Sequence, residues 1–142
     1  MQEVVIGIVV KDADVLLVQK KNPKGNPIWR FPGGKVKDGE SIKNAVIREI
    51  KEETSIDCEP VSPIPIAERN WYSKGLKLLF FVCDYVGGDV QLNEPDTFNS
   101  VQWVKPKKAE ELIGHSAKIQ IRDFLKWLID NELLFKKRTN ST

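Results

Sequence analysis

The sequence predicts an α/β protein, and three observations carry that expectation. Val4 to Val10 is a nearly unbroken apolar run, suited to a strand buried on both faces. Leu76 to Tyr85 is a second long strand. Between them, Ile42, Val46 and Ile50 recur at the spacing of one helix face. A chain of 142 residues, 41% hydrophobic and 30% charged, can bury a core as one domain spanning 1–142. Disorder is expected only at its ends.

The remaining elements follow in order. Asp12-Ala13-Asp14 makes a turn, and Val15 to Val18 is a strand. KKNPKGNP, residues 20–27, mixes Lys, Pro and Gly and reads as a loop. IWRF, residues 28–31, is a short strand leading into Pro32-Gly33-Gly34. Ser41 is an N-cap, with Glu40 before it and Asn44 three residues on, for a helix ending at about Thr54. Residues 61–72 are extended around their prolines. Gly87-Gly88 signals a hairpin after the long strand. SVQWV, residues 100–104, is a short strand, and Lys107 to Ile113 a short helix. Ile121, Phe124, Leu125 and Leu128 keep the spacing of a core-facing helix. The polar tail KKRTNST should fray.

Several classes are excluded at this level. The formal net charge of +2 is too small to argue for a stable nucleic-acid or membrane partner. No apolar run approaches the roughly 20 residues of a membrane span. The opening MQEVVIGIVV lacks the basic leader and small-residue cleavage site of a signal peptide, so a cytoplasmic protein is expected. In that setting Cys58 and Cys83 read as reduced, buried thiols.

The chemistry concentrates between Phe31 and Thr54, where Asp38, Glu40, Glu49, Glu52 and Glu53 crowd together. On a wheel of about 100° per residue, Glu52 lies roughly 60° to one side of Glu49 and Glu53 roughly 40° to the other. Ile42, Val46 and Ile50 lie on the Glu53 side. Glu53 therefore falls inside the apolar stripe, and Glu49 at its edge. A merely solvated face would put Glu53 opposite Ile42 and Val46. A bare carboxylate buried there would cost several kcal/mol or stay protonated, and like charges nearby make that worse. A divalent cation removes the conflict. All-oxygen ligands select Mg²⁺, Mn²⁺ or Ca²⁺ over zinc, and Mg²⁺ bridges carboxylates to substrate phosphates. Gly33 and Gly34 would let the backbone approach a ligand closely and take positive φ. The stretch is neither a P-loop nor a dinucleotide fingerprint.

At this point the stretch resembles the Nudix box, G-x5-E-x7-R-E-U-x-E-E-x-G-U, where U is bulky and apolar. Gly34 opens it, Glu40 follows, then Arg48, Glu49, Ile50, Glu52 and Glu53 match in order, and Ile56 closes it. The departure is Ser55, where the family has a glycine. A serine there should cost roughly 1 kcal/mol or shift the helix cap, without touching the metal ligands. WRFPGG and the order of strands extend the resemblance over most of the chain.

The resemblance implies an α/β/α sandwich with a mixed β-sheet. It implies a Mg²⁺-dependent hydrolase of nucleoside diphosphates linked to another group, with Mn²⁺ as a substitute. Glu49 and Glu53 would be the main metal ligands, with Glu52 a ligand or general base. The Gly33 carbonyl would complete the inner shell. Arg48 would pair with Glu40 and orient the helix.

FPGGK looks more like the MutT-type triphosphate pyrophosphohydrolases than like the dinucleoside tetraphosphate group. NEPDTFNSVQWV resembles a stretch of the nucleotide-sanitising members, which would make Glu94 an extra acid near the metals; alternatively it is a turn residue before Pro95. Lys20, Arg30 and Lys35 could hold phosphates, as could Lys24 unless it is simply solvated. Gly34 borders the same place. Phe31 and Trp71 either stack on a base or belong to the core. His115 reads as a surface or capping residue. The expected substrate is a (d)NTP, damaged or not, cleaved to NMP and pyrophosphate. ADP-ribose, another nucleotide sugar, or a silent nucleotide or RNA sensor are the alternatives. Monomer and homodimer stay open.

Overall fold

The structure is a computed structural model describing residues 2–64, 72–73, 75–114 and 119–131. Its strands are β1 (Gln2–Lys11), β2 (Asp14–Lys20), β3 (Ile28–Arg30), β4 (Gly33–Lys35), β5 (Asp57–Pro63), β6 (Tyr72–Ser73), β7 (Leu76–Gly87) and β8 (Phe98–Val104). Its helices are α1 (Ile42–Thr54), α2 (Pro106–Ile113) and α3 (Ile119–Asp130).

β1 is the spine. It pairs in parallel with β7 along one edge, from Gln2↔Leu76 to Val10↔Asp84. Its other edge is shared antiparallel between β2, at Val10↔Val15, and β4, at Val5↔Gly34. β2 in turn carries β3 and β8, and β7 carries β5 and β6. The sheet is therefore mixed, as expected. Both of its faces are covered. Val5 and Val9 of β1 face α1, joining Leu16, Val46, Ile50 and Ile56 in one core. Ile8 and Val10, one step out of phase, face α2 and α3, joining Leu17, Ile121, Leu125 and Leu128 in the other. Each fully buried Ile or Leu contributes roughly 1.5–3 kcal/mol of apolar transfer, which seats α1 firmly on the sheet. Cys58 and Cys83 are free thiols buried beneath it. Contact with the Cys58 thiol and burial push the Cys83 thiol up, so it stays protonated. No described helix is long and apolar enough to cross a membrane.

Two sequence expectations need correction. Gly33 and Gly34 do not form a positive-φ loop; they lie in strand β4 and neither has positive φ. They are glycines for room. A Cβ on Gly33 would collide with the backbone of Val5 and Ile6, and one on Gly34 with the Glu49 carboxylate. Gly87-Gly88 does not turn a hairpin, because the next strand, β8, pairs with β2 and not with β7. Gly88, at φ 93°, instead brings the chain against the Ser55 carbonyl at the end of α1, where a Cβ would clash. Smaller shifts concern boundaries: the extended segment expected at 61–72 begins earlier, as β5 at Asp57. Residues 65–71, with Trp71, the polar tail and His115 lie outside the described residues.

Candidate active site

α1 begins and ends where its caps dictate. Ser41 has extended backbone, and its Oγ accepts from the Asn44 N–H at 3.1 Å. At the far end Ser55 itself adopts the left-handed conformation, φ 66° and ψ 11°, and its N–H donates to the Lys51 carbonyl at 2.9 Å. The serine thus occupies the position expected of the family's glycine without shifting the cap.

On and around α1 the acids divide into two groups. Arg48 holds the first. Its guanidinium donates to both oxygens of Glu40, at 2.7 and 2.9 Å, to Glu49 at 2.9 Å and to Glu52 at 3.2 Å. It also donates to the Lys35 carbonyl at 3.0 Å, tying β4 to the helix. Glu40 additionally accepts from the Lys37 N–H at 3.1 Å. Hydrogen bonds from Arg48, then from Lys37, hold the Glu40 carboxyl down at about 2. The same carboxylates raise Arg48, chiefly through Glu40.

Glu53 stands apart. It is buried, 5% exposed, in the apolar stripe where the wheel placed it. Its Oε1 accepts from the Gly33 N–H at 3.3 Å, and Arg30 approaches its Oε2 only to 3.8 Å. Burial pushes Glu53 up to about 7, with Glu49 and Glu94 adding to the rise and Arg30 and Gly33 opposing it. Glu94 is raised too, by desolvation and then by Glu49 and Glu52. Glu49, Glu52, Glu53 and Glu94 thus share one field of negative charge. Among the described residues, no three acids close into a metal cage. The donor set still fits a hard divalent cation. It offers only oxygen, its charge is undercompensated, and Glu53 lacks a close cationic partner.

A cleft of about 530 Å³ opens on the α2–α3 side of the sheet, and its lining residues Arg30, Gly33 and Gly34 also touch the acids of α1. Lys20, Arg30, Phe31, Gly34 and Lys35, the residues expected to bind substrate, all line it, with Gly33. Trp29, Leu78, Phe80 and Ile121 supply apolar wall. Phe31 is 6% exposed, so it serves the core and the cleft at once. Arg30 joins cleft to helix: it lies over the Phe98 ring at 5.5 Å, reaches toward Glu53, and buries its Nε without a partner among the described residues.

Sequence reasoning missed Asn93 and Gln91. Asn93 Nδ2 donates to Ser55 Oγ at 2.8 Å and to the Glu52 carbonyl at 3.1 Å, and Ser55 Oγ donates to Gln91 Oε1 at 3.2 Å. The one signal available was Ser55 itself, a polar side chain in a glycine position.

A mixed sheet carrying an arginine-braced acidic helix defines the Nudix hydrolase class, whose members use divalent metal ions and act on nucleotide substrates. Residues 1–128 match the family model described as NUDIX domain, and the chain belongs to that family. It is 29% identical over 124 residues to an ADP-ribose pyrophosphatase of Methanocaldococcus jannaschii, covering 85% of this chain and 71% of that protein. It is 36% identical over 67 residues to the 8-oxo-dGDP phosphatase NUDT18 of Mus musculus, covering 46% of this chain and 21% of the other. Among solved structures it resembles the MutT protein from Methanosarcina mazei Go1, at a TM-score of 0.65 and 26% identity, covering 92% of this chain and 94% of that one. The chain spans about a third of the length of the first curated relatives it matches.

Proposed function

We propose that this Nudix hydrolase is a Mg²⁺-dependent pyrophosphohydrolase of nucleoside triphosphates, releasing NMP and pyrophosphate. The observation that carries the reading is the cleft. Its wall combines apolar side chains, among them Trp29, Phe31 and Phe80, with the cations Lys20, Arg30 and Lys35. Arg30 links it to the acids of α1 through Glu53. The apolar side chains suit a base and the cations a run of phosphates. Lys24, in the same basic loop, adds to the field that steers a highly charged substrate.

The roles follow from position. Glu49 and Glu53, with Glu52 as ligand or general base, would hold the cation; the Gly33 carbonyl and Glu94 would complete the set. Once bound, Mg²⁺, or Mn²⁺ in its place, would activate the attacking water and shield the leaving phosphate. Arg48, locked to Glu40, Glu49 and Glu52, fixes the helix so that these acids need not reorganise. Lys20, Arg30 and Lys35 would orient the phosphates, with the backbone of Gly34 alongside.

The M. jannaschii relative's name supports a second reading, ADP-ribose as substrate. A side-by-side assay of (d)NTPs, an oxidised guanine triphosphate, ADP-ribose and a dinucleoside polyphosphate at one Mg²⁺ concentration decides. The expected result is a higher kcat/KM for at least one triphosphate, with pyrophosphate as second product and no turnover in excess EDTA. Preference for ADP-ribose would replace the first reading with the second. Nucleotide binding without any turnover would make the protein a sensor.

A further inference from the structure

Ser55 departs from the family's glycine, yet it does more than hold the helix cap. We propose that Asn93 and Ser55 form a clip that sets Glu94 beside the acidic face of α1, making both of them positioning residues for the bound cation. The inference rests on the reading above, in which Glu94 belongs to the cation's ligand set.

The stretch from Gln91 to Asp96 has no buried side chain, so packing does little to hold it. Hydrogen bonds do that instead, on both sides of Glu94. On one side the Gln91 N–H donates to the Thr54 carbonyl at 3.0 Å. Asn93 Nδ2 then donates to Ser55 Oγ at 2.8 Å and to the Glu52 carbonyl at 3.1 Å, with the Lys51 carbonyl at 3.4 Å. Ser55 Oγ in turn donates to Gln91 Oε1 at 3.2 Å. On the other side the Glu94 carbonyl accepts from the Thr97 and Phe98 N–H groups at 3.0 and 2.9 Å, and Phe98 is fully buried at the start of β8. Glu94 is thus suspended between the end of the catalytic helix and the sheet.

The direction of the arrangement matters. Asn93 bonds to the carbonyl of Glu52, a residue of the acidic set, and Glu94 is its direct neighbour. The bonds of Asn93 therefore fix the Glu94 backbone against the turn of α1 that carries Glu52. A glycine at 55 keeps the left-handed cap but removes the hydroxyl that both Asn93 and Gln91 use. Without it, the exposed loop is free to exchange these bonds for water, and Glu94 loses its anchor to the end of α1.

The test measures Mn²⁺ affinity by calorimetry on the metal-free protein, alongside kcat and thermal midpoint, for Ser55→Gly, Asn93→Ala, Glu94→Gln and the double variant Asn93→Ala/Glu94→Gln. Asn93→Ala should weaken Mn²⁺ binding by about tenfold, the scale of one or two lost hydrogen bonds, and Ser55→Gly by about threefold. In the Glu94→Gln background, Asn93→Ala should change affinity no further, because the clip acts through Glu94. Effects of Asn93→Ala and Glu94→Gln that multiply would overturn the clip. So would a lowered midpoint with unchanged Mn²⁺ affinity in Asn93→Ala, which would make the contacts merely structural. A Glu94→Gln variant that binds Mn²⁺ like the parent would overturn it by a separate route, by removing Glu94 from the ligand set.

Discussion

Arg48 and Arg30 both face acids of one helix, and they do so unequally. Arg48 is mostly buried and reaches Glu40, Glu49 and Glu52 at hydrogen-bonding distance. Arg30 is substantially exposed and stops 3.8 Å short of the buried Glu53. The acids titrate differently too: hydrogen bonds from Arg48 hold Glu40 down at about 2, whereas burial, which Arg30 only partly opposes, pushes Glu53 up to about 7. The contrast separates frame from working part. Around Arg48 each carboxylate has a hydrogen-bonded cationic partner and the geometry is fixed. Around Glu53 the charge is left unmatched, and a cation has something to gain by arriving.

The strongest break in that contrast is Glu53→Gln. It removes the unmatched charge and preserves the shape. Activity should fall on the order of a thousandfold, while the thermal midpoint in EDTA holds or rises. A variant that unfolds while its folded fraction turns over normally would make Glu53 structural.

Breaking the other side should look different. Arg48→Ala strands three carboxylates near the sheet and frees the Lys35 carbonyl. Stability should suffer first, with a midpoint about 5 °C lower, and activity should drop by more than about tenfold because the helix acids lose their frame. Circular dichroism melts beside initial rates distinguish this from the Glu53 pattern.

pH sharpens the same comparison. With metal chelated, neutral Glu53 favours the fold; this contribution is complete below the ordinary value of 4.5 and is lost as pH climbs through about 7. Glu40 has the opposite sign, stabilising above 4.5 and losing that effect as pH falls toward about 2. Urea midpoints in EDTA should therefore decline between about pH 5 and pH 7, and Glu53→Gln should flatten the decline. An unchanged slope in that variant would assign the decline to another group.

The smallest effect belongs to Ser55→Gly. Relief of the left-handed backbone stabilises by up to about 1 kcal/mol, and the lost bonds to Asn93 and Gln91, exposed to water, offset it. The midpoint should stay within about 2 °C of the parent. A larger fall would mean that the hydroxyl holds the helix end itself.

How much of this was readable beforehand depends on how local the cause is. Glu53 was legible because helical periodicity alone places it among Ile42, Val46 and Ile50. The Arg48–Glu40 pair followed from the motif. The cap at Ser41 needed only its neighbours. Gly33 and Gly34 were misread because their reason lies across the sheet, in the Val5 backbone and the Glu49 side chain. Gly87-Gly88 was misread for a similar cause: the chain turns toward the end of α1, a partner some thirty residues earlier in sequence. Asn93 gave no local sign at all, since its acceptors are carbonyls and a hydroxyl on a distant element.

The parallel pairing of β1 with β7 has a consequence in time. Its partners are separated by roughly half the chain, so a long loop must close before the spine has both edges. Contacts of that span make folding slow relative to a helical protein of similar stability. Cys83 of β7 also lies in the core that seats α1. The acidic helix therefore gains its full seat only after the far half of the chain has been synthesised and has docked.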